Sequence, residues 1–335
     1  MAHLRSWSCL VLAFAAACGP NADTAPDAAM TSPPPPPPPP PSRIPSSAAG
    51  SFALTSELAL AIPDEAQPMI ATLTAATDGP DDPTRYLVDR MIATLPDGTM
   101  KTIALSAAPY VAAYLSARID DVAPRFGPGI AQLAGGLSRI ATHLGTTETL
   151  RIDSAGNAVR TITGVRFSVG GTLTALRFAD TGLADVAITT RATLDAAGHV
   201  TIAAHHHALP YGALLRLGLD RAVVPSVEPT AQDLPDALAA LVDCDAIGAV
   251  FADRLGIGAP TLYRAACRTA VTALASELDA RIATIDDIEL TVAGGVDAVD
   301  LDGDGTVDEL HNGGWTAAGE VTAFRAGSFS GHEAP

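Results

Sequence analysis

The chain has 335 residues, with 20 lysines and arginines set against 37 aspartates and glutamates, for a formal net charge of −17 at pH 7. So acidic a surface repels phosphate backbones, which argues against nucleic acid as a partner, and it argues equally against electrostatic docking on anionic lipid. The length downstream of the first 50 residues suits one large domain or two small ones, and no internal linker divides it.

The amino terminus carries His3 and Arg5, an apolar run from Leu10 to Ala17, and then Cys18 and Gly19. A short basic end, a brief hydrophobic segment and small residues before a break describe a secretory signal too short to span a bilayer. Ala15-Ala16-Ala17-Cys18 resembles a bacterial lipobox, with alanine at 15 where that motif more often has leucine. The resemblance implies cleavage before Cys18 and a diacylglycerol on its thiol, and Gly19 in the following position implies sorting to the outer membrane. A proline run from Pro33 to Pro41 comes next. Proline has no amide hydrogen and a fixed φ, so this run is expected to be an extended polyproline II spacer. The expected organisation is a signal peptide over 1–17, a lipidated, disordered proline-rich linker over 18–50, and a single α+β domain over 51–335. No segment after Cys18 is a candidate membrane span.

Within that domain, Ser51 to Ile62 alternates and predicts a first strand. Helical faces follow: Leu87, Val88, Met91, Ile92 and Leu95 after an Asp82-Pro83 start, then Tyr110, Val111, Tyr114 and Leu115 after a Ser106 cap, then Ile130, Leu133, Leu137, Ile140 and Leu144. From Thr147 to His207 the pattern changes to four or five consecutive antiparallel strands. Val159, Thr161, Thr163, Val165, Phe167 and Val169 are predicted on one face, with Arg160, Ile162, Gly164, Arg166 and Ser168 on the other. Gly170-Gly171 is a hairpin signal, and further turns recur at Asp180–Gly182 and Asp195–Gly198. Helices return from Tyr211, the longest running from Pro260 to about Ala283. The fold class is therefore α+β, an antiparallel meander packed against several helices.

Cys244 and Cys267 both lie near helices and, in an oxidising compartment, most simply form a disulfide; a metal pair or two buried thiols are the alternatives. The sharpest local motif is Asp300-Leu-Asp302-Gly-Asp304-Gly-Thr306-Val-Asp308. Oxygen ligands at positions one, three, five and nine, a backbone carbonyl at Thr306 and a glycine at the sharp turn are what a calcium loop needs. His311 stands where an EF-hand has its twelfth-position glutamate and predicted strands flank the loop, so it resembles more closely the DxDxDG loops of integrin-type FG-GAP repeats. One structural calcium is the cofactor expected.

His205 and His207 share one face of the last meander strand at a spacing some zinc sites use, with Asp185 or His199 as a third ligand. The simpler expectation is a pair of polar-face histidines at a strand end, with His206 on the side of Val200 and Ile202. No nucleophile elbow, zincin helix, phosphate loop or dinucleotide fingerprint occurs. Anchor, stalk and acidic loop together resemble the lipoproteins of GC-rich Gram-negative bacteria. The function expected is a non-enzymatic binding or structural module at the cell envelope, one version of which carries a hydrophobic ligand. The competing class is a secreted hydrolase whose site is assembled only in three dimensions.

Overall fold

The computed structural model describes residues 44–62, 67, 83–318 and 323–334; the signal segment, Cys18, the proline run and Asp82 lie outside these. The described strands are Gly50–Leu60 (β1), His143–Ile152 (β2), Asn157–Val169 (β3), Thr172–Arg177 (β4), Val186–Leu194 (β5), His199–Leu209 (β6), Ile288–Val299 (β7), Glu309–Ala317 (β8) and Phe324–Glu333 (β9). They form one antiparallel sheet in the order β2-β1-β9-β8-β7-β6-β5-β3-β4, and β2 also pairs with β3. That last pairing closes the sheet. Eight strands make a barrel, and β4 extends the wall along the far half of β3, beyond the stretch that pairs with β5.

The expected open meander is corrected by this closure, while the α+β class and the antiparallel pairing stand. β1 supplies the physical reason. It pairs with β2 on one edge and with β9 on the other, Ala53 lying opposite both Thr149 and His332. The strands from β1 round to β2 thereby close on themselves, and among the described strands the short β4, paired with β3 alone, keeps an open edge.

Two helical insertions interrupt the barrel. Pro83–Ala93 (α1), Thr99–Ser116 (α2) and Phe126–Thr142 (α3) lie between β1 and β2. Tyr211–Gly218 (α4), Leu234–Leu241 (α5), Cys244–Leu255 (α6) and Pro260–Ile282 (α7) lie between β6 and β7. Because β1 and β6 run the same way in the antiparallel barrel, both insertions leave and return at the same end. The opposite end carries the 153–156 and 195–198 turns and the aspartate loop between β7 and β8.

The apolar stripe of α3 packs as its spacing predicts over Ile130, Leu133, Leu137 and Ile140, all buried, whereas Leu144, the last residue of the predicted stripe, lies in β2. Its two adjacent glycines have different roles. A Cβ at Gly136 would lie 2.7 Å from a methyl of Val223, whereas Gly135 faces open space, so only Gly136 is required for close approach. Tyr211 ties the two insertions together by donating its hydroxyl to the Ala141 carbonyl at 2.6 Å. Two details of the first insertion differ from expectation. The helix predicted from Ser106 starts at Thr99 and carries Pro109 in its interior, and Tyr110, expected to face inward, is 80% exposed.

Cys244, at the first turn of α6, is disulfide-bonded to Cys267 in the middle of α7. Asp243 caps α6 by accepting from the amides of Asp245 and Ala246, and Gly256 ends it in the left-handed region at φ 64. Among the described residues no helix is long and apolar enough to cross a membrane.

Inside the barrel, register shifts break the period-two alternation in β3, β6, β8 and β9, and those in β3 and β6 decide where the charged side chains face. Thr147 of β2 lies opposite Gly164 of β3 but Glu148 lies opposite Ile162, so Thr163 is an extra residue. This bulge reverses the parity of β3. Val165, Phe167 and Val169 face inward as predicted, but on the other side of the bulge the inward residues are Ala158, Arg160 and Ile162, and Val159 is 39% exposed. In β6, Ile202 lies opposite Gly294 and His205 opposite Val292, which again inserts one residue. Inward-facing Val200 and Ile202 are therefore followed by His205, His207 and Leu209, and His206 points out.

Candidate functional site

The two bulges place charged and polar side chains in the barrel interior. Arg160 and Glu148 are both essentially inaccessible, and the guanidinium grips the carboxylate with two bonds, Nε to Oε2 at 2.6 Å and Nη2 to Oε1 at 2.7 Å. Thr146 donates its hydroxyl to Glu148 Oε1 as well. Burial alone would raise the pKa of Glu148. The Arg160 charge, its two hydrogen bonds and those of the Thr146 and Ser56 hydroxyls outweigh that effect and hold the carboxyl below its usual range.

His205 is the next member of this belt. Its Nδ1 lies 2.9 Å from the Ala203 carbonyl and its Nε2 lies 3.1 Å from Arg160 Nη1. A carbonyl only accepts and a guanidinium only donates, so Nδ1 carries the proton and Nε2 is bare. Ala203 is part of the β6 bulge, and its carbonyl also accepts from the Thr190 hydroxyl. The bulge that turns His205 inward thus also fixes its tautomer. Burial and the nearby Arg160 charge lower the imidazole's proton affinity against the opposing pull of the Ala203 carbonyl.

Aromatic rings complete the belt. Arg160 lies over the Trp315 ring at 4.2 Å, Trp315 stacks on Phe329 at 4.3 Å, and the indole N–H donates to Ser56 at 3.1 Å. His205 meets Trp315 edge to face and stacks on His207 at 5.8 Å. His207 is 5% exposed, and among the described residues neither of its ring nitrogens meets a donor or acceptor.

The structure therefore brings His205 and His207 together, but inside the barrel and not on a solvated strand face. The expectation of polar-face histidines is corrected, and the reason is the inserted residue in β6. Neither expected third metal ligand accompanies them. His199 lies against Asp297 on an accessible part of the sheet, with Nδ1 3.2 Å from Oδ1, and Asp185 is exposed just before β5. Arg160, Glu148, Thr146, Ser56 and Trp315 were not singled out from sequence. The available signals were an arginine flanked by inward-facing apolar positions at Ala158 and Ile162, and a serine interrupting the apolar row Phe52, Leu54, Leu58, Leu60 of β1.

At the other end of the barrel, Asp300, Asp302 and Asp304 converge, each with an oxygen within 4.8 Å of the others'. Asp300 is buried and accepts from the amides of Gly303 at 2.6 Å and Gly305 at 2.9 Å. Gly303 and Gly305 adopt φ of 81 and 92, which explains the glycines of the motif. Asp304 Oδ1 accepts from the amide and hydroxyl of Thr306, which hold the carboxyl below its usual range. Asp308 turns to the amides of Leu301 and Asp302, shaping the loop from outside the three-carboxylate cluster. The segment after the proline run docks here, with the Ser46 and Ser47 amides and the Ser46 hydroxyl all donating to the Gly305 carbonyl.

The fold and site define a closed antiparallel barrel with two helical insertions at one end, a buried ionic belt in its interior and an aspartate loop at the other end. No family model, curated protein or solved structure matches the chain.

Proposed function

We propose that this chain is a lipid-anchored module of the bacterial outer membrane that binds a ligand and does not transform one, with a hydrophobic small molecule as its cargo. The barrel interior carries this reading. An eight-stranded barrel either fills with side chains or holds one small ligand, and ligand sites are typically apolar walls with a few placed polar groups. The interior here combines Phe52, Leu150, Ile162, Ile202 and Leu290 with the single belt around Arg160. A hydrolytic reading has less support. It needs His205 or His207 in a cleft beside a serine or a free carboxylate, yet both rings are buried, His205 has both nitrogens engaged, and Glu148 is held by Arg160.

One structural calcium accompanies this reading. Asp300, Asp302 and Asp304 would supply carboxylate oxygens and Thr306 its carbonyl, and three like charges within 4.8 Å repel one another without a cation. The ion would stiffen the loop whose Gly305 carbonyl holds Ser46 and Ser47.

Two measurements test the proposal. Cys18→Ser should move the protein from the membrane fraction to the soluble fraction, and persistent membrane association would remove the anchor. Chelation should lower the melting temperature of the wild type but not of Asp302→Ala; equal melts with and without chelator would remove the calcium.

A further inference from the structure

Among the described residues of the belt, His207 is the one side chain with both of its polar atoms buried and unbonded. A neutral imidazole has one N–H donor and one bare nitrogen, and burying either unpaired is costly enough that native proteins rarely do so. The neighbouring polar groups are already committed: Arg160 to Glu148 and His205, His205 to Ala203, and Trp315 to Ser56. None of them meets a ring nitrogen of His207. Across the strand, its partner is the apolar Leu290.

Charge narrows the class of partner. Glu148 and Arg160 neutralise each other, so an anion entering this belt finds no unpaired cation and a cation finds no unpaired anion. The side chain that remains available is an uncharged ring in an apolar wall. Burial together with the charge of Arg160 pushes its pKa down to about 3, so it stays neutral at any ordinary pH.

We propose that His207 is the polar contact of a guest site inside the barrel, where an uncharged hydroxyl donates to the bare ring nitrogen and an uncharged oxygen accepts from the ring N–H. The hydroxyl comes from one of two sources, the head of an apolar lipid-like molecule or water. The inference rests on the reading of the barrel as a binding module and names the chemistry of the contact.

The test uses the full-length chain purified from membranes. Mass spectrometry of its organic extract should show a stoichiometric amphiphile that is uncharged and bears a hydroxyl. His207→Phe should reduce it about tenfold, whereas His206→Phe, one residue away and facing out, should leave it unchanged. A crystal structure of the wild type should show a separate oxygen within hydrogen-bonding distance of each His207 nitrogen, and this measurement holds even if the His207→Phe substitution prevents folding. Ordered water on both nitrogens with nothing extractable would support the hydroxyl contact and overturn the carrier reading. A charged guest, or ring nitrogens bonded only to protein atoms or packed against carbon, would overturn the site itself.

Discussion

The helical insertions bury apolar stripes, and a disulfide joins two helices of the second, whereas the barrel from which they emerge buries a carboxylate, a guanidinium and two imidazoles. The helices have ordinary amphipathic faces whose failure would be gradual. The barrel interior concentrates its risk in one belt, because a low-dielectric interior strengthens every satisfied polar contact and penalises every orphan. The difference predicts that single substitutions in the belt do more damage than larger perturbations in the helical layer.

The largest effect should come from Arg160→Met. It strands Glu148 as an unpaired buried charge, and loss of one partner of such a pair costs about 3–5 kcal/mol. The denaturant midpoint measures this, and replacing Glu148 with leucine in the same chain should restore much of the loss. A single-variant cost no larger than that of a surface substitution would erase the contrast between the two regions. Reduction of the Cys244–Cys267 bond should rank second, at about 2–4 kcal/mol. Hydrogen exchange should show the loss confined to α6 and α7 while barrel amides stay protected; loosening of both regions together would mean that they unfold as one unit.

The third effect is a pH dependence. Burial, together with the charge of Arg160, holds the His207 imidazole at about 3, against an ordinary value of 6.5. Between those limits the unfolded chain binds a proton that the folded chain does not. Stability from this group is therefore complete above 6.5 and declines as pH falls through the window, by at most about 1.4 kcal/mol per pH unit. His207→Leu should flatten the acid limb of a stability-against-pH plot by that amount, and parallel limbs for variant and wild type would contradict it. The smallest effect belongs to the outer surface of the helical layer. Lys101 pairs with Asp97, whose side chain is 97% exposed, so Lys101→Ala should change stability by less than about 1 kcal/mol.

Local pattern carried much of the architecture. Turn chemistry located the β3–β4 and β5–β6 hairpins, Gly170 and Gly171 adopting φ of 57 and 80, whereas the Asp180–Gly182 turn joins β4 and β5, which each pair with β3. Helical spacing located α3 with its buried face and the extent of α7. The aspartate loop was legible because all of its ligand candidates lie within one short stretch, where spacing alone brings three carboxylates together. The belt was not legible in the same way. Its members come from β1, β2, β3, β6, β8 and β9, and inserted residues in β3, β6 and β8 reverse the alternation from which faces are inferred.

What the residues determined by themselves was everything that acts over a few positions: the acidic balance, the strand and helix periods, the turns, the motif at Asp300 and the cysteine pair. What only the tertiary structure decided was closure of the sheet, the parity of β3 and β6, and hence whether Arg160, His205 and His207 face water or one another. The physical reason is that a bulge leaves no mark in composition. It is selected by the register of a partner strand far away in the chain, and shifting by one residue exchanges inside for outside.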